Sequence, residues 1–326
     1  MNYLPAKDRD MEQKLQDEAK SLLEQERVDY IIGFEPGSLK FTTTPLITKN
    51  KDDVDRLVIT PFIVNNLSVY LTEVKGRVGI VAKGCDSRSI VSLIQDNKVV
   101  RENVVIIGIP CPGLIDLKKV ERLVGKDRDE LDDITRNGDR VIVTVDGKGR
   151  EFPIAEVLYD NCLGCEFPTP QEYDVLIGES ALLVTDFTAS RQKVETLEGM
   201  SQQQRWEFWK EEFDRCIRCY ACRNVCPACF CQRCFVEESE PQWVLPVPRW
   251  QDNLIFQVVR NIHVAGRCTD CGACERSCPM NIPLRNLARK TYDIVGELFH
   301  YQAGMDKEAS PLLTAYEVEE AEDFFR

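Results

Sequence analysis

Apolar residues in the first half of the chain fall in short unbroken runs: DYIIGF (29–34), RLVIT (56–60), RVGIVAKG (77–84) and NVVIIGIP (103–110). Between them the apolar positions take a helical spacing, in NNLSVYLTEVKG (65–76) and SRSIVSLIQDN (87–97), and a charged amphipathic helix is predicted over 8–27. Continuous apolar strands alternating with helices predict an α/β layer whose largely parallel sheet is covered on both faces. The stretch GKDRDELDDITRNGD (125–139) reads as an exposed polar excursion from the layer, and strands at 141–145 and 173–178 close the first domain. Near residue 190 the pattern turns helical, with cysteine-rich loops between the helices. The expected architecture is an α/β domain over 1–190 joined to an α-helical domain over 191–326. In the second, Trp206, Trp209 and Phe213 lie at helical spacing. They read as packing against a neighbouring helix or domain, with flavin stacking as the alternative.

Composition narrows the function classes. Asp and Glu number 54 against 41 Lys and Arg, a formal charge of −13, which repels nucleic-acid phosphates over most of the surface and suits a protein that meets other proteins. No apolar run is long enough to span a membrane, and the N-terminus MNYLPAKDRDMEQKLQDEAK carries charges where a signal peptide needs apolar residues. A cytoplasmic location is expected. In that reducing compartment 15 cysteines cannot be a disulfide framework, and with only 2 histidines, His263 and His300, sulfur must supply the metal ligands.

Two segments carry the same spacing. CIRCYACRNVCP holds Cys216, Cys219, Cys222 and Cys226; CTDCGACERSCP holds Cys268, Cys271, Cys274 and Cys278. Both read C-x-x-C-x-x-C-x-x-x-C-P. Three cysteines two residues apart present thiolates to three corners of one cubane, while the fourth ligates the other cluster. The following proline ends the loop and brings no competing N–H. Cluster A is therefore expected on Cys216, Cys219, Cys222 and Cys278, and cluster B on Cys268, Cys271, Cys274 and Cys226. Zinc sites more often use two separated cysteine pairs. The loops are linked by about forty residues that include the helical run 250–266, and this resembles the α-helical ferredoxins, such as the C-terminal half of fumarate reductase iron–sulfur subunits and the small iron–sulfur subunit of heterodisulfide reductase. In those proteins the domain wires one subunit to another.

Four cysteines lie upstream. Cys85 follows one predicted strand, Cys111 the next, and Cys162 and Cys165 form a C-x-x-C. Parallel strand ends converge on the edge where such folds place ligands. With Glu166-Phe167 and DVLIG (174–178), these residues resemble the beta subunits of deazaflavin-reducing hydrogenases and related dehydrogenases over about residues 20–180. The resemblance implies a third 4Fe–4S cluster on Cys85, Cys111, Cys162 and Cys165, beside FAD. The chain departs from that pattern where LQDEAKSLLEQE replaces the family's Gly-Gly flavin-binding segment, and no G-x-G-x-x-G or P-loop occurs. Cys229, Cys231 and Cys234, in CPACFCQRCF, are expected to be structural thiols near cluster A.

Fully cysteine-ligated cubanes are one-electron relays. The expected function is an electron-transfer subunit of an anaerobic multi-subunit oxidoreductase of the hydrogenase, formate dehydrogenase or heterodisulfide reductase type, partnered by other redox subunits. The alternatives are a flavin-containing reductase acting on deazaflavin, NAD(P) or a sulfur compound, and a zinc-stabilised interaction module. The acidic tail DKEASPLLTAYEVEEAEDFFR reads either as a free tail or as a segment that orders against a partner.

Overall fold

The computed structural model describes residues 6–180 and 187–314. Most of the acidic tail, residues 315–326, lies outside them. The charged N-terminal pattern forms α1 (Ala6–Glu24), which turns Leu15, Ala19 and Leu22 at one-turn spacing into the core. Three of the apolar runs form β1 (Tyr30–Pro36), β3 (Val78–Ala82) and β4 (Val104–Gly108), and these pair in parallel. The antiparallel β2 (Thr43–Thr48) extends one edge and the short parallel β8 (Val175–Leu176) the other, giving the order β2-β1-β3-β4-β8. Every residue of β3 is buried, as a central strand covered on both faces must be. After β3 the chain enters α2 (Gly84–Gln95).

Three details differ from the sequence expectation. Residues 56–60 add no strand. Leu57 and Ile59 are buried, but the Val58 N–H donates to the Phe34 carbonyl (2.9 Å) and the Ile59 N–H to the Glu12 carboxylate (3.1 Å), so no ladder forms before Pro61. The predicted helix over 65–76 is a short 3-10 segment, Leu67–Thr72, whose Val69, Tyr70 and Thr72 favour helix poorly. The polar excursion contains β5 (Leu131–Asn137), which joins β6 (Arg140–Val145) and β7 (Lys148–Pro153) in a separate antiparallel sheet. A bulge between Leu131 and Asp133 breaks the alternation that would have revealed β5. Between β4 and β5 lies α3 (Leu117–Val124); beyond β7 come α4 (Ile154–Val157) and α5 (Asp160–Leu163).

The rest is helical: α6 (Phe187–Gly199), α7 (Gln202–Asp214), α8 (Ala221–Asn224), α9 (Trp250–His263), α10 (Ala273–Arg276) and α11 (Leu284–Phe299). The aromatic residues of α7 pack as a structural seam. Trp206 meets Trp250 edge-on at 5.8 Å, and Trp209 stacks on Phe213 at 5.2 Å. A second core gathers Phe213, Phe256, Ile282 and Leu284 around Cys216, Cys222 and Cys278. No helix of the described residues is long and apolar enough to cross a membrane.

Candidate metal centres

The repeated cysteine motif folds twice into the same backbone. After Cys216, Arg218 and Tyr220 adopt positive φ (52° and 60°); after Cys268, Asp270 and Gly272 do the same (52° and 72°). Left-handed residues at these two steps, costly above all for Arg and Tyr, curl the loop tightly; Cys216 and Cys222 end up buried and Cys219 exposed. A single helical turn follows in each case, α8 or α10. The Cys226 N–H then donates to the Arg223 carbonyl (3.2 Å), as the Cys278 N–H does to that of Glu275 (3.1 Å).

This folding sets Cys278 of the second loop beside Cys216 and Cys222 of the first in the helical core. Burial raises the Cys216 thiol above its ordinary value, and nearby Cys278 and Cys219 add to the rise. Cys222 is raised for the same reason, with Cys216 and Cys278 contributing. Gln257 of α9 donates to both Cys216 Sγ (3.9 Å) and Cys222 Sγ (3.8 Å), and the Ile282 N–H donates to Cys278 Sγ (3.4 Å). Reciprocally, Cys226 of the first loop shares a cavity with Cys268, Cys271 and Cys274 of the second. Burial pushes the Cys274 thiol up to about 12.

The upstream cysteines also converge. Cys85 opens α2 at the end of β3, Cys111 follows β4, and Cys162 lies in α5 with Cys165 just beyond it. All four line one cavity at the carboxyl edge of the parallel strands. Burial pushes Cys111 to about 12 and Cys165 to about 11. Gly84 lets this site close: a Cβ there would lie 1.8 Å from the Phe167 carbonyl oxygen, so only glycine allows the loop after Cys165 to pass over the start of α2. Cys271 lines this cavity as well as the one it shares with Cys226. The three thiol groups therefore form a row: upstream site, second-loop site, first-loop site.

Direct contacts bind the two halves along that row. Asn161 Nδ2 donates to the Cys271 carbonyl (3.2 Å), Arg276 to the Val64 carbonyl (2.7 Å), and Ser89 Oγ lies 3.0 Å from Thr269 Oγ1. Arg267 makes a bidentate pair with Asp96 at 2.7 Å for both bonds.

The charge environment tests whether these sites suit iron–sulfur cubanes. Arg88, Arg218 and Arg260 are at least nine-tenths buried, and among the described residues none makes an ion pair with a carboxylate. Arg88 lines the upstream cavity and donates to the Ala303 carbonyl. Arg218 donates to the carbonyls of Leu245 and Val247, and Arg260 to that of Cys222 (2.9 Å). The Nε atoms of Arg218 and Arg260 are buried without a partner. An uncompensated buried cation is costly, so anionic charge belongs beside it. Thiolate-ligated cubanes carry that charge, and the donor set fits them. Among the described residues no three His, Cys, Asp or Glu side chains are arranged to hold a single ion; the cysteines surround cavities instead.

Cys229, Cys231 and Cys234 line a cavity of about 500 Å³ that shares Cys226 and Arg260 with the second-loop cavity, and Cys229 lies near Cys226 and Cys222. Cys231 is exposed. Sequence reasoning overlooked the buried arginines and Gln257. The only linear signal was an Arg between two ligand-spaced cysteines, in Cys216-Ile217-Arg218-Cys219.

The sequence model of the family described as "4Fe-4S dicluster domain" matches residues 211–282, which contain all eight cysteines of the repeated loops. The chain is 26% identical to the F420-dependent formate dehydrogenase subunit beta of Methanocaldococcus jannaschii, over 90% of its own length and 92% of the relative's. It is 25% identical to the F420-dependent formate dehydrogenase 1 subunit beta of Methanococcus maripaludis, over 90% and 91%. These relatives bear out the resemblance to dehydrogenase beta subunits read from the motifs. Among solved structures, a chain of the F420-reducing [NiFe] hydrogenase complex from Methanosarcina barkeri aligns over 51% of this chain and 63% of its own, at 17% identity and a TM-score of 0.38.

Proposed function

We propose that the chain is an iron–sulfur electron-transfer subunit of an anaerobic, multi-subunit oxidoreductase, of the formate dehydrogenase or hydrogenase type. Its nearly full-length similarity to beta subunits named for formate dehydrogenase supports partnership with other redox subunits. Cys216, Cys219, Cys222 and Cys278 would hold one 4Fe–4S cluster; Cys268, Cys271, Cys274 and Cys226 a second; and Cys85, Cys111, Cys162 and Cys165 a third. The first two belong to the helical part, 191–326, and the third to the α/β part, 1–190. When bound, each cubane supplies reversible one-electron chemistry. The chain's own residues bury Cys162, Cys216, Cys222 and Cys278, leave Cys219 exposed, set buried arginines beside the thiol groups, and keep the three sites contiguous. The observation that carries the reading is the row itself, in which Cys271 forms a wall of two adjacent thiol-lined cavities. Free thiol ligands on this scale support a reducing compartment, the cytoplasm.

The test is Cys219→Ala in anaerobically purified protein. It should remove at least the iron and acid-labile sulfide of the cluster that Cys219 would ligate and impair electron transfer between partner subunits, while the cluster on Cys85, Cys111, Cys162 and Cys165 keeps its EPR signal. Unchanged iron content would refute the ligand assignment. FAD released on denaturing the wild-type subunit would move the reading to the flavin-containing reductase.

A further inference from the structure

Arg260 has no part in ligating metal, yet its position is unusual. It is 6% exposed, on the same face of α9 as Gln257 and Phe256, which are also buried. Its Nη2 donates to the Cys222 carbonyl at 2.9 Å, and its buried Nε has no partner. The other deeply buried arginines of the helical part include Arg285, which pairs with Asp270, and Arg289, which pairs with Asp270 and Asp293. Arg260 has no ion pair with a carboxylate among the described residues. Its electrostatic neighbours are Cys226, Cys229, Cys274 and Cys222, of which Cys222 belongs to one thiol group and Cys226 and Cys274 to the other. It also walls the cavity that holds Cys226, Cys268, Cys271 and Cys274.

We propose that Arg260 is the shared counter-cation of the two C-terminal cubanes and that it raises both of their reduction potentials together. The inference rests on the relay reading above and adds a residue that sets the energies of two stations. Reduction places one more negative charge on a cluster, and a fixed cation in a low-dielectric interior stabilises that charge. A cation beside both thiol groups acts on both clusters, so it shifts their two potentials in the same direction. The hydrogen bond to the Cys222 carbonyl holds the guanidinium in place, so Arg260 is a positioning and tuning residue and touches no substrate.

The experiment is an EPR-monitored redox titration of the anaerobic holoprotein as wild type, Arg260→Gln and Arg260→Lys. The signal of the upstream cluster is first identified as the one lost in Cys85→Ser. Arg260→Gln should make both C-terminal clusters at least tenfold harder to reduce, a shift of about 59 mV or more to lower potential for one electron. The upstream cluster should not move, and Arg260→Lys should stay near wild type. Wild-type potentials in Arg260→Gln overturn the proposal, and so does an equal shift in both variants, which would credit the guanidinium hydrogen bond instead of the charge. If Arg260→Gln loses iron while Arg260→Lys keeps it, charge compensation is supported. Iron loss from both assigns a packing role and overturns it. Absence of iron from the wild type would instead sink the underlying relay reading.

Discussion

Gln257 places one amide N–H₂ between two sulfurs, Cys216 Sγ and Cys222 Sγ. Hydrogen bonds to thiolate sulfur delocalise its negative charge and favour the reduced cluster, so such donors raise potentials. Gln257→Leu keeps the bulk and deletes the donors. The expected outcome is a lower potential for the first-loop cluster alone, by about a tenfold change in its reduction equilibrium at most, with the second-loop cluster unmoved. That selectivity separates Gln257 from Arg260, and one potentiometric titration of each variant reads it. At this scale the cysteines were legible from sequence because ligand spacing is a local property. The arginines were not. A buried cation cannot be told from a surface cation in a linear pattern, since its burial depends on segments such as 245–247 folding over it.

Among the elements, the junction between β3 and α2 carries the tightest constraint. The Phe167 carbonyl would lie 1.8 Å from an added Cβ at Gly84, and it is a backbone atom that cannot swing aside. Gly84→Ala must push the loop after Cys165 away from Cys85. It should cost about 2 kcal/mol or more, in the range of overpacked sites, and should remove the upstream cluster's EPR signal while both C-terminal signals remain. Thermal denaturation together with EPR checks both halves of that expectation. The central strands were legible because runs such as VGIVA need no partner to declare themselves. The second sheet was readable too, but its signal lay in the turn. Asp146 and Gly147 both have positive φ (50° and 70°) between β6 and β7, the Asp-Gly hairpin pairing that the polar look of the region masked. Residues 56–60 misled in the opposite sense, because apolar character reports burial and does not guarantee a ladder.

For the molecule as a whole, the division near residue 190 describes the change in pattern better than the mechanics. Arg267 precedes the second cysteine loop and forks onto Asp96 at the end of α2, with Asp96 only 6% exposed. Arg267→Ala would leave that carboxylate without its partner and should cost about 2 kcal/mol, somewhat below a fully buried pair because Arg267 keeps some contact with water. Because the pair joins the two halves, the variant is expected to unfold in two calorimetric transitions where the wild type shows one. A single transition in the variant would mean that the remaining contacts across the row suffice.

The exchange of fourth cysteines between the loops has a consequence for how the protein matures. On the proposed assignment each cubane staples both loops, so installing the first already draws the second set of thiols into place. Iron insertion should then be nearly all-or-none. Native mass spectrometry of chains loaded with too little iron should find the C-terminal pair either complete or missing, with few singly filled intermediates, and a cell short of iron would make fewer working wires instead of many broken ones.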